Sequence, residues 1–350
     1  MNVLPVGQEM LRWIRSGGRP TRCGASTLLA YRWQSWWFER NLAIQRRLKA
    51  PQIDSRPMIF IVGMWRSGTT FLHNLLSTNG AAIFPATWQC MNASTVGLLA
   101  APAPSAPVTR PMGDIPVGST SPQECEFALL SRGAPSVYRA LLDPRRIDKL
   151  ESLLGAAAWQ PDAPTGWMET YKDFLARVAV GHEGHLVIKS PTNTFRIRAL
   201  AESLPKSVFV WIARPPRETF LSNRHMWTAM FERYALWDWD LEALDHFIVE
   251  AMRQSALCLD AATSSLPRSR FIVLDYGQFV ANPVESVKVF TKRLGFNLSD
   301  SDCRSLVTGS ATPVNRRQHA EPAGRYPEEL RLTNRVMAEV QDRALRSHGI

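Results

Sequence analysis

Apolar residues in this chain fall into two textures: short unbroken runs, and longer stretches with the three-and-four spacing of a helix. The clearest run is Met58-Ile59-Phe60-Ile61-Val62. An uninterrupted apolar pentad suits a strand covered on both faces, because a strand with one face in water alternates instead. Gly63 breaks the run and Arg66-Ser67-Gly68-Thr69-Thr70 turns the chain. Phe71, Leu72, Leu75 and Leu76 then follow helical spacing. The same texture returns at His185-Leu186-Val187-Ile188-Lys189, with Ser190-Pro191 and a helical stretch over 194–204 behind it. It returns again at Ser207-Val208-Phe209-Val210-Trp211-Ile212-Ala213, which runs into Arg214-Pro215-Pro216 with a new helix near Arg217. Strands alternating with helices at this spacing predict parallel βαβ units with right-handed crossovers, and so an α/β fold with a parallel sheet flanked by helices.

The remaining chain is less regular. Residues 1–22 carry Gly17-Gly18, Pro20 and several arginines, which predicts a loosely held arm. Residues 26–48 read as a helix in which Trp33, Trp36, Trp37 and Phe38 stand among Arg32, Arg40, Arg46 and Arg47. Such a helix can pack its aromatic side on its own domain or lie in a membrane interface. A short extended piece and a turn into helix are expected over 81–90. Prolines at 102, 104, 107, 111, 116 and 122 rule out regular structure for most of 100–122, a stretch expected to be a lid or a link. Glu124 and Glu126 stand at a predicted helix start, where carboxylates suit the helix dipole. Further helices are expected over 147–154 and 167–180. The domain reading is an arm and Trp-rich helix over 1–56, then one α/β domain over 57–350.

Composition narrows the classes. A chain of 350 residues with 45% hydrophobic positions can bury a large core. Forty-one Lys and Arg against 31 Asp and Glu give a net charge of +10, which favours polyanionic ligands or anionic surfaces. No basic stripe interleaved with aromatics stands out, so nucleic acid is not the expected partner. Cys23, Cys90, Cys125, Cys258 and Cys303 are scattered singly, without the paired spacing of a zinc site or a disulfide framework. With no long apolar leader and no membrane-length apolar window, the expected location is cytoplasmic, with peripheral membrane contact through residues 26–48 as a further expectation.

The strand, glycine turn and helix at 58–76 point backbone N–H groups and a helix N-terminus at one spot, which makes an anion site. Gly63 to Gly68 followed by Thr69-Thr70 nearly matches the nucleotide-binding pattern GxxxxGK[ST], but the lysine that reaches the β/γ-phosphates is missing. The cation is Arg66, inside the turn, whose planar guanidinium can hold two oxygens of a phosphate or sulfate. Ligands of parallel sheets collect at the carboxyl ends of the strands. Arg66, Lys189 and Arg214 all lie just past such ends and are expected to converge.

The loop resembles the 5′-phosphosulfate loop of the sulfotransferases, in a P-loop-like three-layer fold, and the resemblance extends over roughly 57–300. It implies 3′-phosphoadenosine 5′-phosphosulfate (PAPS) as donor, held by Arg66, Ser67, Gly68, Thr69 and Thr70, with no metal. Arg214 followed eight positions later by Ser222 is similar to the family's 3′-phosphate site, and Leu186 to Pro191 to its strand-lysine-serine-proline segment. Arg270 to Tyr276, with Asn282-Pro283, resembles the later strand whose tyrosine lies near the adenosine, which assigns Tyr276. Thr87 to Cys90, Arg110-Pro111-Met112 and 121–130 look like a bacterial branch. Many relatives carry a catalytic glutamate about twenty residues past the loop; here Ala86-Thr87-Trp88-Gln89 holds no acid. The base role passes to Glu124, with Glu126 and His73 in reserve, and Lys189 assists the transfer. For the segment that closes over the donor, Arg316-Arg317 and Arg325 are the nearest candidates.

The implied reaction moves a sulfuryl group in line to a hydroxyl, less readily an amine. Tryptophans 65, 88, 159 and 167 and the apolar 90–100 segment suggest a partly apolar pocket for a small or lipid-like acceptor. Two rival classes are a P-loop kinase or NTPase, with Asp275 ending an apolar strand as a magnesium ligand, and a non-catalytic membrane-associated protein held by the Trp-rich helix.

Overall fold

The computed structural model describes residues 4, 6–77, 82–110, 113–160, 166–296, 299–309 and 328–350. In chain order the elements are α1 (Gln8–Ser16), α2 (Ala25–Gln45), β1 (Met58–Val62), α3 (Thr69–Ser77), β2 (Ala82–Ile83) and α4 (Thr87–Met91). Then come β3 (Val108–Arg110), β4 (Gly113–Val117), α5 (Glu126–Ser131), α6 (Trp167–Val178), β5 (His185–Lys189), α7 (Ile197–Ser203) and β6 (Ser207–Ala213). The last are α8 (Pro216–Tyr234), α9 (Leu241–Ser265), β7 (Phe271–Asp275), α10 (Tyr276–Ala281), α11 (Pro283–Arg293), α12 (Asp300–Gly309) and α13 (Glu328–His348). The contacts divide the chain into a helical unit (Met1–Ser55, Phe84–Glu183, Met226–Phe247) and a sheet unit (Arg56–Ile83, Gly184–His225, Ile248–Ile350).

The sheet unit is built on five parallel strands in the order β2-β5-β1-β6-β7. The three apolar runs of the sequence become β1, β5 and β6, and β1 is buried along its whole length. Alternate residues of each strand serve opposite faces. On one face Ile59, Ile61, Val187, Val210 and Ile272 pack with Leu72 and Leu75 of α3, Phe279 of α10 and Val287 and Phe290 of α11. On the other, Phe60 stacks on Phe209 with centroids 5.4 Å apart. Ile61 is in register with Lys189 on one side and Val210 on the other, and Ala213 is in register with Asp275, so these strand ends lie side by side. The C-terminal residue adds to the β7 edge, where the Ile350 N–H donates to Val273 O at 3.2 Å.

The helical unit departs from the sequence reading at its start. The segment expected as a loose arm holds α1, which buries Met10, Leu11 and Ile14. Distant cations tie it down. The Arg146 guanidinium sits 3.7 Å from the Trp13 ring centroid and donates to the Trp13 carbonyl, while Arg145 lies over Trp237 and donates to Gly17 O at 2.9 Å. Both arginines pair with Asp143, which is fully buried, so three charges far along the chain fix the N-terminal segment. The proline-rich stretch keeps 101–107 irregular but forms an antiparallel hairpin of β3 and β4, with Val108 opposite Val117 and a register shift at Thr109/Arg110. A two-stranded ladder accepts Pro116, since only one side of each strand must supply N–H donors. The expected helix over 147–154 is a 3₁₀ helix, Asp148–Leu154.

Candidate functional site

Gly63 leaves β1 at φ 123° and Gly68 enters α3 at φ 96°, values that side chains rarely adopt. A Cβ on Gly63 would stand 3.1 Å from Ser67 Oγ and from the Trp211 ring, and one on Gly68 would stand 3.2 Å from the Tyr276 ring. Both glycines are therefore set by conformation and by space. Between them Arg66 sits at φ 68°, the one non-glycine residue at positive φ among the described residues. Ser67 Oγ donates to Met64 O at 2.8 Å and closes the turn from inside. The first amides of a helix have no acceptor within it. Those of α3 therefore make an electropositive end at Gly68, Thr69 and Thr70.

Arg66 and the segment after β6 meet. The Arg66 Nε donates to Ser222 Oγ at 3.1 Å, and Arg214 Nη1 donates to the Arg66 carbonyl at 2.5 Å. Arg214 lies over the Tyr276 ring, 4.8 Å from its centroid, and reaches Glu218 Oε2 at 3.3 and 3.4 Å. Arg66, Arg214, Ser222 and Tyr276, named from three separate segments of the sequence, thus occupy one spot at the carboxyl edge of the sheet. Lys189 ends β5 in the same sheet and is 1% exposed.

Three residues of this cluster carried no signal in the sequence, and a fourth was readable there but went unread. The Thr194 hydroxyl accepts from the Gly63 N–H at 2.8 Å and donates to Gly63 O at 3.1 Å, which pins the mouth of the loop. Asn223 Nδ2 donates to Trp65 O at 2.7 Å. Gln341 Nε2, from α13, donates to Arg214 O at 2.7 Å. Glu218 could have been found, since it stands four residues after Arg214 at the start of α8, where such a pair faces the same side.

The other expected residues sit differently. Glu124 belongs to the helical unit, just before α5, and the Tyr138 hydroxyl donates to its carboxylate. It therefore precedes the helix rather than lying in its first turn. Glu126 and His73, held in reserve, are 0% and 1% exposed. Trp159 and Trp167 pack edge to face at 5.4 Å, and Trp65 lies against Phe195, so these three are buried packing residues. Asp275 does not end its strand as a bare carboxylate: it caps α10 by accepting the Gln278 N–H at 2.7 Å. Arg316-Arg317 and Arg325 lie outside the described residues.

Chemically, two segments suited to anions share contacts, and each offers a guanidinium that fits a planar pair of oxygens. Nothing comparable to a cluster of metal-ligating side chains occurs among the described residues.

Comparison with known proteins gives one direction. The chain is 28% identical over 275 residues to omega-hydroxy-beta-dihydromenaquinone-9 sulfotransferase Stf3 of Mycobacterium bovis and of Mycobacterium tuberculosis, covering 77% of this chain and 69% of the relative. Its fold is similar to that of the sulfotransferase STF9 from Mycobacterium avium, with a TM-score of 0.61 at 16% identity over 98% of this chain and 97% of the other. It is also similar to STF1 from Mycobacterium tuberculosis, with a TM-score of 0.58 at 16% identity over 95% and 93%. Residues 57–300, which contain the turn, the arginine cluster and Glu124, match the model of the sulfotransferase family. The chain belongs to the sulfotransferase family, and its enzymatic class is that of a sulfuryl transferase.

Proposed function

We propose that this enzyme takes the sulfuryl group of PAPS and passes it in line to a hydroxyl of a small, lipid-like acceptor. The observation that carries the reading is the junction of Arg66 with Ser222 and Arg214. It joins a loop suited to the 5′ end of a nucleotide to a pair suited to a second phosphate. In the transfer the acceptor oxygen forms a bond to sulfur while the bond from sulfur to the 5′-phosphate oxygen breaks. The acceptor proton goes to a base, and adenosine 3′,5′-bisphosphate (PAP) leaves. Arg66, Lys189 and the first amides of α3 stabilise charge growing on the sulfuryl and leaving oxygens, which is where fixed donors gain most. Arg214 and Ser222 hold the 3′-phosphate, and Tyr276 flanks the adenosine. Glu124, oriented by the Tyr138 hydroxyl, takes the acceptor proton.

The acceptor class rests on the relative whose name carries a menaquinone substrate. None of the five cysteines is joined in a disulfide, which suits a reducing cytoplasm. Among the described residues no helix is long and apolar enough to cross a membrane.

Calorimetric titration with PAP, with ATP as control, tests the donor. Arg214→Ala removes a charged two-point contact and should weaken PAP by about tenfold to a hundredfold, with Arg214→Lys intermediate. Undiminished affinity in Arg214→Ala, or ATP binding as tight as PAP, would overturn the assignment.

A further inference from the structure

The helix α2 buries one face and leaves the opposite face apolar. Tyr31, Ser35, Phe38, Leu42 and Gln45 point inward. On the other side Leu29, Trp33, Trp36, Trp37 and Ile44 stand in solvent at 61%, 68%, 49%, 48% and 45% exposure. Their spacing of three and four residues puts them on a single stripe. Of Trp33, Trp36, Trp37 and Phe38, the aromatics the sequence left open to packing or to a membrane interface, only Phe38 packs on the protein's own domain.

The outward face is fixed, not a rotational accident. Gln45 Nε2 donates to Ala93 O at 3.2 Å and to Val96 O at 2.6 Å, and its oxygen accepts from Arg132 at 2.8 Å. Arg177 donates to the carbonyls of Gln45 and Leu48 at 3.1 and 2.7 Å. Glu39 accepts the Gln8 N–H at 3.2 Å. Turning α2 to hide its tryptophans would break all of these.

The charge on the face decides the partner. Over 25–49 the cations are Arg32, Arg40, Arg46, Arg47 and Lys49, and the sole acid is Glu39. All five cations are exposed. Arg40 stands within the aromatic stripe, its guanidinium 5.8 Å from the Trp36 ring centroid, and Trp33 and Trp36 lie 5.1 Å apart. An exposed apolar stripe of this size marks an interaction surface. A second copy docked through it about a two-fold axis would bring these cations against their own counterparts. Phosphodiester headgroups would neutralise them, while indole rings are at home between headgroup and acyl chain.

We propose that α2 docks the protein on the surface of a bilayer that contains anionic lipid, with Trp33, Trp36 and Trp37 in the headgroup region and the flanking cations on lipid phosphates. The proposal rests on α2 alone and stands whether or not the donor and acceptor are those proposed above.

The test is sedimentation of the full chain with vesicles of phosphatidylcholine alone and of equimolar phosphatidylcholine and phosphatidylglycerol, at low and high salt. Binding to the anionic vesicles, weakened by salt, is expected. The combined Trp33→Ser, Trp36→Ser, Trp37→Ser variant should lose about tenfold or more in partitioning while its melting midpoint and circular dichroism stay near wild type. The double variant Arg40→Glu, Arg47→Glu leaves the aromatic stripe in place and should lose the preference for phosphatidylglycerol. Absence of wild-type binding to anionic vesicles, or undiminished binding of the folded triple variant, overturns the proposal. A wild-type dimer that becomes monomeric on the triple substitution, without vesicle binding, overturns it in favour of self-association.

Discussion

Arg66 holds a backbone conformation that costs an L-residue about 1 kcal/mol or more, and two contacts from distant segments hold it there. Strain of this kind persists where the surrounding structure over-determines it. In this state the Arg66 and Arg214 side chains are engaged with protein groups: Ser222, the Arg66 carbonyl and Glu218 occupy donors that a nucleotide phosphate would take. Glu218 is the telling one, because a carboxylate beside a phosphate site competes with the ligand and repels it. The pair is loose, at 3.3 Å with Glu218 mostly exposed, so it adds little to stability. Glu218→Gln should therefore tighten PAP severalfold at low salt and lower stability by less than about 1 kcal/mol. Titration calorimetry beside a urea melt reads both, and weaker PAP binding in this variant would show that Glu218 helps rather than competes. At this scale the meeting of Arg66 and Arg214 was legible because both lie just past ends of parallel strands, while Ser222 entered only through the family resemblance. Thr194, Asn223 and Gln341 were not, since each acts by meeting a backbone group whose approach only the tertiary fold creates; Gln341 is 127 residues from its partner.

Elements read well from the sequence where burial on both faces made an unbroken apolar run. β1, β5 and β6 fall on the residues expected, since no alternative pairing hides such runs. Elements held by charge read poorly. α1 is stabilised by Asp143, Arg145 and Arg146, more than a hundred residues on, and no local pattern announces that. The end of α2 is held in the same way, by Arg132, Asp173 and Arg177. Asp173 accepts from both arginines, and Arg177 carries the bond on to the carbonyls at the end of α2. Burial pushes the Arg132 guanidinium down to about 10, while Asp173 works the other way. Two buried cations with one counter-charge make Asp173 the weak point. Asp173→Asn leaves both without compensation and should cost about 3 kcal/mol or more, read from the urea midpoint. A wild-type midpoint would mean the arginines find solvent instead. Because the same network presents the tryptophan stripe, this variant should also show weaker vesicle binding than its residual fold predicts.

The molecule as a whole carries +10, and PAP carries roughly four negative charges at neutral pH, counting up to two for each phosphate. A field of that sign should draw the nucleotide in and be screened by salt. It also attracts ATP, so charge cannot by itself select the donor; on the proposed reading, selection falls to the local fit of Arg214 and Ser222. Thermal melts separate the two contributions. A ligand at a hundredfold excess over its dissociation constant stabilises the native state by about 2.7 kcal/mol, worth several degrees in a chain of this size. PAP is expected to give that shift and equal ATP much less. Added salt should shrink the PAP shift without bringing ATP level with it, because screening removes the shared long-range attraction and leaves the local contacts. Ser222→Ala should narrow the gap between the nucleotides at every ionic strength, since on the proposed reading it removes a donor for the 3′-phosphate, which ATP lacks. If salt instead erased the gap, preference for PAP would be a property of net charge, and the junction of Arg66, Ser222 and Arg214 would not be the selecting element.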